Sequence, residues 1–347
     1  MNKLSIGNLL SDEESRMLTS TIEDSHNIII CCHTSPDGDA MGATLGWAQY
    51  LMLMGKKPQI IVPDQYPDFL AWLPNSHTIM RYDKHKEEAD KLFAAADLIF
   101  MLDFNDPSRL NDMQNPFCAS QAKKILIDHH LHPCDCPFLK ISHPHASSTC
   151  ELVFRLIYQF GAFDRLDSQF AVPIYCGMMT DTGGFTYNST SPQIFIIIAH
   201  LLTKGIDKDK IYRNVFNNYS ENRLRLVGYV LNKKLKIIGK HVAYYILTRK
   251  DLEKYRYIKG DAEGLVNMAL QIKGMRLSIS LREDTDIDNL VHLSLRSVDD
   301  FPCNIMAKEF FNGGGHLNAS GGRLHCSMEE AEQIVLKAIM AFKDRLQ

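Results

Sequence analysis

Polar residues of the kinds that bind metal ions follow four apolar segments in the first half of the chain. They are His33, Asp37 and Asp39 after segment 28–32, Asp103 after 98–102, Asp128, His129 and His130 after 125–127, and Asp181 after the segment around 173–179. Three of the four segments are short and lie between polar turns, as buried parallel strands do. The carboxyl ends of such strands meet at the ligand-binding edge of an open α/β sheet, so we expect these side chains to converge.

The loop 33–39 is the part of this cluster that best indicates its chemistry. Asp37 and Asp39 are two residues apart, and carboxylates that close repel each other unless a cation neutralises them. Asp103 enters from a separate strand and is the natural carboxylate to bridge two cations. A single Asp after a strand is more often a helix cap, but that explanation would have to hold independently at four segments. Converging carboxylates and imidazoles therefore predict a site for divalent cations.

Length and charge limit the substrates that such a site could take. The 347 residues suffice for two domains with substantial cores. The net charge of −3 leaves no basic surplus, which a protein that follows long nucleic acid along its backbone usually carries. We expect a small anionic substrate, held by metal ions and a few basic residues. No apolar run approaches the ~20 residues of a membrane helix, so we expect no membrane partner.

The nine cysteines indicate reduced thiols rather than a disulfide framework. Their number is odd, they are scattered, and several lie inside apolar segments. Residues 1–20 alternate polar and apolar groups and do not resemble a secretory signal, so we expect a cytoplasmic protein. Cys134-Asp135-Cys136 is too closely spaced for a usual zinc knuckle and has no second pair, which indicates a loop with two free thiols.

The order of predicted elements divides the chain into two α/β halves. Strand-like and helix-like segments alternate in the first half, which is typical of a parallel sheet covered by helices on both faces. The strand candidates of the second half are 236–238, 242–247, 275–281 and 290–295. We expect a domain over residues 1–200, a helical connector over 201–232 and a smaller domain over 233–347, with the active site in the cleft between the domains.

Two features of the second half are suited to an anionic substrate. Arg296 ends an apolar strand, where an unpaired cation is costly, and its guanidinium can bind a phosphate through two hydrogen bonds. A structural ion pair with Asp299 or Asp300 is the competing interpretation. Residues 313–315 are all glycine and combine little bulk with several backbone N–H groups, so a loop there could approach a phosphate or a ribose closely.

The complete motif order resembles that of the DHH phosphoesterase superfamily. In the first half this order is His-x-x-x-Asp-x-Asp, then Asp, then Asp-His-His, then Asp. In the second half, Ser294-Leu-Arg-Ser297 and Phe311-Asn-Gly-Gly-Gly-His316 resemble the substrate-binding DHHA1 domain. The resemblance covers roughly residues 20–345. The resemblance is greatest to the subgroup of enzymes that degrade very short oligoribonucleotides and 3′-phosphoadenosine 5′-phosphate.

The resemblance implies an N-terminal DHH domain, a smaller α/β DHHA1 domain and a site for two divalent metal ions. One ion would be held by His33, Asp37 and Asp103, and the other by Asp39, Asp103, His129 and Asp181. The mixed ligand set suits Mn²⁺, with Mg²⁺, Co²⁺ or Fe²⁺ as alternatives.

The resemblance also implies which residues act on the substrate. His130 would contact a phosphate oxygen or help protonate the leaving group, and Asp128 would orient an imidazole. The implied substrate-binding residues are Arg109, His145, Arg296, Ser297, Gly313, Gly314, Gly315 and His316. For Arg109 and His145, a purely structural role is the alternative.

The resulting hypothesis is a two-metal phosphohydrolase. It would degrade short oligoribonucleotides to nucleoside monophosphates and remove the 3′-phosphate of 3′-phosphoadenosine 5′-phosphate. The alternatives are a linear dinucleotide phosphodiesterase, a polyphosphatase or pyrophosphatase, and a nucleotide-binding sensor without catalysis. The expected partners are short RNA and small nucleotides rather than long duplexes, and a homodimer is compatible with this fold.

Overall fold

The computed structural model describes residues 5–258 and 260–346 of the chain. These residues form two compact units, with the boundary between Asn218 and Tyr219. The boundary lies inside the segment 201–232 that the sequence suggests as a connector. Helix Lys208–Phe216 belongs to the first unit and helix Glu221–Tyr229 to the second, so both units share that segment.

The first unit is built on a six-stranded parallel sheet. Its strands are β1 (Ile28–Cys31), β2 (Gln59–Val62), β3 (Met80–Arg81), β4 (Leu98–Leu102), β5 (Lys123–Asp128) and β6 (Leu139–Ser142). They lie in the order β3-β2-β1-β4-β5-β6, so the direction in which the chain adds strands reverses between β1 and β4. Open α/β sheets bind ligands beyond the carboxyl ends of the strands at such a point.

Helices cover both faces of this sheet, as predicted. They are α1 (Asp12–Asp24), α2 (Gly38–Leu53), α3 (Lys86–Ala95), α4 (Gln114–Ala119), α5 (Thr149–Gln159), α6 (Ser168–Asp181), α7 (Pro192–Leu202) and α8 (Lys208–Phe216). Ile28 and Ile30 of β1 enter a core shared with α2, α5 and α6. Ile29 and Cys31 enter the opposite core, which includes α3 and α4. The alternation of β1 side chains thus explains why this strand is apolar throughout.

A row of glycines lets α2 and α6 pack with their backbones in close contact. Gly38, Gly42 and Gly46 recur every four residues, and therefore lie on one face of α2. A Cβ at Gly38 would lie 2.7 Å from Cγ2 of Thr180, and a Cβ at Gly42 would overlap the carbonyl oxygen of Pro173. This close packing holds the beginning of α2 beside the end of α6.

The second unit contains a mixed six-stranded sheet with helices. Its strands are β7 (Lys236–Ile238), β8 (Val242–Leu247), β9 (Leu277–Glu283), β10 (Leu290–Ser297), β11 (Gly314–His316) and β12 (Ala319–His325), in the order β11-β12-β10-β9-β8-β7. Its helices are α9 (Glu221–Tyr229), α10 (Arg249–Lys254), α11 (Leu265–Met268), α12 (Cys303–Phe310) and α13 (Met328–Ala341). Only β8 and β9 pair in parallel. No helix within the described ranges is long and apolar enough to cross a bilayer.

The glycine packing can be tested by Gly42→Ala. The added methyl would lie 2.7 Å from Cys150 Sγ and would also overlap backbone of α6, so both helices would have to shift. We expect a loss of about 1–3 kcal/mol in the free energy of unfolding, measured by urea denaturation. Gly228→Ala is the control, because Gly228 lies exposed in α9 and a Cβ there meets nothing within 4 Å. It should stabilise by about 0.4–1 kcal/mol, and a Gly42→Ala protein of unchanged stability would contradict the packing role.

Candidate metal centre and substrate-binding residues

Asp103 lies at the centre of the residues predicted as metal ligands. Its Oδ2 is 3.4 Å from Nε2 of His33, and its Oδ1 is 3.6 Å from Nε2 of His129. The two oxygens of one carboxylate therefore face two different imidazoles. His33, Asp37 and Asp103 form one group of possible ligands. Asp39, His129 and Asp181 form another.

The remaining distances show that all six side chains converge. Nε2 of His33 is 3.7 Å from Oδ2 of Asp37. Nε2 of His129 is 3.9 Å from Oδ2 of Asp39 and 3.5 Å from Oδ2 of Asp181. These gaps exceed ordinary hydrogen-bond lengths, and the nitrogen and oxygen atoms point at a shared space. The convergence expected from the sequence is thus present within the first unit.

The imidazole tautomers indicate that a cation belongs in this space. Nδ1 of His33 lies 2.7 Å from the carbonyl oxygen of Thr34, and Nδ1 of His129 lies 3.3 Å from that of Ala146. A carbonyl only accepts, so each Nδ1 carries a proton, and Nε2 of each ring would direct a lone pair at carboxylates whenever the ring is neutral. Lone pairs facing anions are unfavourable unless a proton or a metal ion lies between them.

The pKa values of the cluster also indicate that a cation belongs in this space. Burial raises the pKa of Asp181 to about 7, and burial together with the charge of Asp103 raises the pKa of Asp39 well above its usual range. Burial opposes charge on His129, but the carboxylates of Asp181, Asp103 and Asp39 raise its pKa to about 9. The cluster therefore holds protons that a divalent cation would displace, and its oxygen-rich donor set fits Mn²⁺ or a similar ion.

Asp37 combines two functions that the sequence presents as alternatives. Its Oδ1 accepts hydrogen bonds from the backbone N–H groups of Asp39 and Ala40, both at 3.0 Å, so Asp37 is the N-cap of α2. Its Oδ2 faces His33 instead. Asp39 is a buried residue of the first helical turn rather than the cap. One side chain thus begins the helix and also contributes to the cluster.

The amino end of helix α5 holds Asp39 by hydrogen bonds. The sequence did not reveal this interaction. The backbone N–H groups of Thr149 and Cys150 donate to Oδ2 and Oδ1 of Asp39, at 2.6 and 2.8 Å. The hydroxyl of Thr149 donates to Oδ1 of Asp103 at 2.9 Å. The amino end of a helix favours an anion, and here that anion is Asp39 itself.

The backbone of Asp103 has an unusual conformation. Its φ of +64° lies in the left-handed region, which residues other than glycine seldom adopt. Its N–H donates to the carbonyl oxygen of Ile127 at 3.2 Å, which fixes the residue against the end of β5. Strain of this kind collects at functional sites, where surrounding structure maintains it.

His130 lies between an acidic and a basic side chain. Its Nδ1 is 2.7 Å from Oδ1 of Asp128, and its Nε2 is 2.9 Å from Nη1 of Arg109. The carboxylate accepts a hydrogen bond from the protonated Nδ1, and Nε2 accepts one from the guanidinium in this state. Asp128 therefore orients an imidazole, as the sequence suggested. Oδ2 of Asp128 is buried and has no hydrogen-bond partner among the described residues.

The predicted residues of the second unit lie on or near one sheet. The apolar side chains of β9 and β10 enter the core with α12 and α13, so the alternate residues line the opposite face. Those alternate residues are Ser278, Ser280 and Arg282 on β9 and His292, Ser294 and Arg296 on β10. On β12, Arg323 pairs in register with His292. This face carries three arginines and one histidine, and is suited to an anionic ligand.

Arg296 has no acidic partner among the described residues. Its Nη1 donates to the carbonyl oxygen of Leu295 at 2.9 Å. Asp300 pairs with Arg276 instead, at 2.5 Å. The competing interpretation of Arg296, an ion pair with Asp299 or Asp300, is therefore not what the structure shows.

The glycines expected to form a ligand-binding loop form strand structure instead. Gly314–His316 is the edge strand β11, and it pairs with the beginning of β12. A Cβ at Gly313 would overlap the carbonyl oxygen of Gly321, and a Cβ at Gly315 would lie 2.9 Å from Cα of Ser320. Gly313 and Gly315 are thus needed for close packing of two strands, whereas a Cβ at Gly314 would meet nothing within 4 Å.

Two further predicted contacts have other surroundings. Ser297 is buried, and its hydroxyl donates to the carbonyl oxygen of Phe301 at 2.8 Å, which is a structural use. His145 is exposed in the loop before α5, one residue from the carbonyl that contacts His129. Their roles in substrate binding stay predictions.

The role of the hydrogen bond between Thr149 and Asp103 can be tested by substitution of Thr149. Thr149→Val keeps the shape of the side chain but removes the hydroxyl that orients the carboxylate. Losing such a supporting hydrogen bond should weaken Mn²⁺ binding about 10-fold, measured by isothermal titration calorimetry. Thr149→Ser keeps the hydroxyl and should bind nearly as the unaltered protein does. Equal affinities of the Val and unaltered proteins would show that the hydroxyl has no part in the site.

Comparison with known proteins identifies relatives over the whole chain. Residues 27–178 match the DHH family, N-terminal domain. The chain is 48% identical to an exopolyphosphatase-related protein from Bacteroides fragilis, whose crystal structure has a TM-score of 0.92 over 100% of this chain and 99% of that chain. It is 27% identical over 316 residues to the bifunctional oligoribonuclease and PAP phosphatase NrnA of Thermus thermophilus, across 90% of this chain and 89% of the relative.

The fold also occurs in a larger protein. The structure of RecJ from Thermus thermophilus in complex with Mn²⁺ has a TM-score of 0.53 at 10% identity, over 96% of this chain and 55% of RecJ. That likeness concerns the fold alone. The family match, the full-length relative and the Asp-His-His site together lead to one conclusion: the chain belongs to the DHH family of phosphoesterases.

Proposed function

We propose that this protein is a metal-dependent phosphohydrolase of small nucleotides. It would cut short oligoribonucleotides to nucleoside monophosphates and remove the 3′-phosphate of 3′-phosphoadenosine 5′-phosphate. The observation that carries the proposal is the Asp103 carboxylate, whose two oxygens face His33 and His129 at 3.4 and 3.6 Å. The name of the NrnA relative, an oligoribonuclease and PAP phosphatase, supports the choice of substrate.

Two divalent cations would occupy the two groups of ligands. His33, Asp37 and Asp103 would hold one, and Asp39, Asp103, His129 and Asp181 the other. Mn²⁺ is the preferred ion, and the Mn²⁺ complex of RecJ is consistent with that preference. The chemistry that such a pair supplies is neutralisation of charge on a phosphoryl group and activation of water.

The protein's own groups would position the phosphate and manage the leaving group. Arg109 is hydrogen-bonded to His130, so its guanidinium can bind a phosphate oxygen beside that ring. Asp128 keeps the proton of His130 on Nδ1 and stabilises the ring if Nε2 also becomes protonated. A proton on Nε2 could then pass to the oxygen of the departing nucleoside or nucleotide.

The polar sheet face of the second unit would bind the far end of the substrate. Arg296 offers a guanidinium without an acidic partner among the described residues, and Arg282 and Arg323 flank His292 in register. A phosphate bound there would favour substrates that carry a phosphate besides the one that is cleaved. Short oligonucleotides and 3′-phosphoadenosine 5′-phosphate share that feature.

A polyphosphatase is the second candidate. The 48%-identical protein from Bacteroides fragilis is described as exopolyphosphatase-related, which favours this alternative. Polyphosphate contains no nucleoside, so a site built for it would need the phosphate-binding residues but no surface for a ribose or a base.

A hydrolysis panel in Mn²⁺ separates the two candidates. It contains 3′-phosphoadenosine 5′-phosphate, RNA of two to five nucleotides, a longer RNA, a linear dinucleotide and polyphosphate. We expect nucleoside monophosphates from the short substrates and little release from polyphosphate. Asp103→Asn removes the bridging charge and should lower kcat at least about 100-fold, by loss of metal-based charge stabilisation.

The panel is repeated with a pair of arginine variants. Arg296→Gln should lower kcat/KM on the short nucleotides about 10–100-fold, as expected for a lost charge-assisted hydrogen bond. Arg276→Gln is the matched control, because Arg276 is engaged with Asp300, and it should leave kcat/KM unchanged. Phosphate release from polyphosphate alone, with the Arg296→Gln protein fully active, would overturn the nucleotide assignment.

A further inference from the structure

Two cysteine sulfurs lie in contact on a surface loop of the first unit. Sγ of Cys134 is 3.0 Å from Sγ of Cys136, which is closer than two sulfur atoms approach without a hydrogen bond or a bond. Both residues are free thiols. Cys136 is exposed and Cys134 is half-buried, so small molecules in solution can reach the pair. The metal centre uses neither residue.

The two thiols differ in their readiness to react. Burial and the contact with Cys134 raise the pKa of Cys136 to about 12, so Cys136 keeps its proton and can donate it to the neighbouring sulfur. The thiolate is the reactive form in thiol–disulfide exchange, so the raised pKa makes Cys136 the slower of the two sulfurs to attack a disulfide. Cys134 is thus the attacking sulfur, and Cys136 is the sulfur that completes the exchange.

Hydrogen bonds to the segment after Asp103 hold the loop in this arrangement. The backbone N–H of Cys134 donates to the carbonyl oxygen of Asn105 at 2.8 Å. The side-chain amide of Asn105 donates to the carbonyl oxygen of Leu131 at 2.7 Å. The loop is therefore fixed on both sides of His132, and the two sulfurs meet without a search through other conformations.

We propose that Cys134 and Cys136 form a reversible redox site for low-molecular-weight disulfides, a property beyond the proposed phosphohydrolase function. The thiolate of Cys134 attacks one sulfur of the small disulfide, forms a mixed disulfide and releases one small thiolate. Cys136 gives up its proton, its sulfur attacks Sγ of Cys134, and the second small thiol leaves. Two protein thiols are oxidised to one disulfide, and one small disulfide is reduced to two thiols.

Oxidised glutathione tests the proposal directly. The full-length protein is incubated with it, free thiols are blocked with N-ethylmaleimide, and unreduced peptides are analysed by mass spectrometry. We expect a Cys134–Cys136 disulfide, no glutathione on either residue, and full recovery of both thiols with dithiothreitol. Cys118, which is also exposed, should carry glutathione and serves as an internal control for exposure to the reagent.

Variants decide the order of the exchange. Cys136→Ser should trap glutathione on Cys134, because no sulfur remains to displace it. Cys134→Ser should leave Cys136 alkylated rather than oxidised, and Cys118→Ser should form the Cys134–Cys136 disulfide as the unaltered protein does. Alkylation of both residues in the unaltered protein, persistent glutathione on Cys134, or a disulfide from Cys118 to either of them would overturn the proposal. None of these readouts depends on hydrolytic activity.

Discussion

The need for positive charge among buried carboxylates governs the first unit. Asp39 and Asp103 are almost inaccessible to solvent, and Nε2 of His33 and of His129 faces the carboxylates, with a proton on each Nδ1. Such a cluster is unstable without protons or metal ions, because burial removes the water that would screen its charge. The rest of the unit brings these groups together from distant parts of the chain and keeps them there. Positive charge, from protons or from bound metal ions, is therefore a condition of the arrangement.

Three structural features keep these side chains together, and each has a different physical basis. The reversal of strand order between β1 and β4 places the loop after β1 beside Asp103. The glycine face of α2 lets α6 approach closely, which brings Asp181 to the same position. The amino end of α5 donates two backbone hydrogen bonds to Asp39. Backbone groups and close helix packing thus orient carboxylates that would otherwise repel one another.

The sequence predicted the parallel sheet and the convergence of the six ligands, because short apolar strands followed by polar residues indicate both. It did not predict the Thr149 contact, since that residue lies 110 positions from Asp39 and only the tertiary fold joins them. It also suggested a ligand-binding loop at residues 313–315, where the structure has an edge strand. Glycine has little preference for strands, so the partner strand β12 determines that conformation. Spacing thus indicated which side chains converge, whereas long-range packing determined the contacts that hold them in place.

In the proposed mechanism, Asp103 bridges two metal ions. Electron paramagnetic resonance of the protein titrated with Mn²⁺ tests it most directly, because ions roughly 3.5–4 Å apart couple through a shared carboxylate. We expect two Mn²⁺ per chain with a spin-coupled spectrum, and loss of that coupling in Asp103→Asn. A single Mn²⁺ per chain with the six-line spectrum of an isolated ion would contradict it.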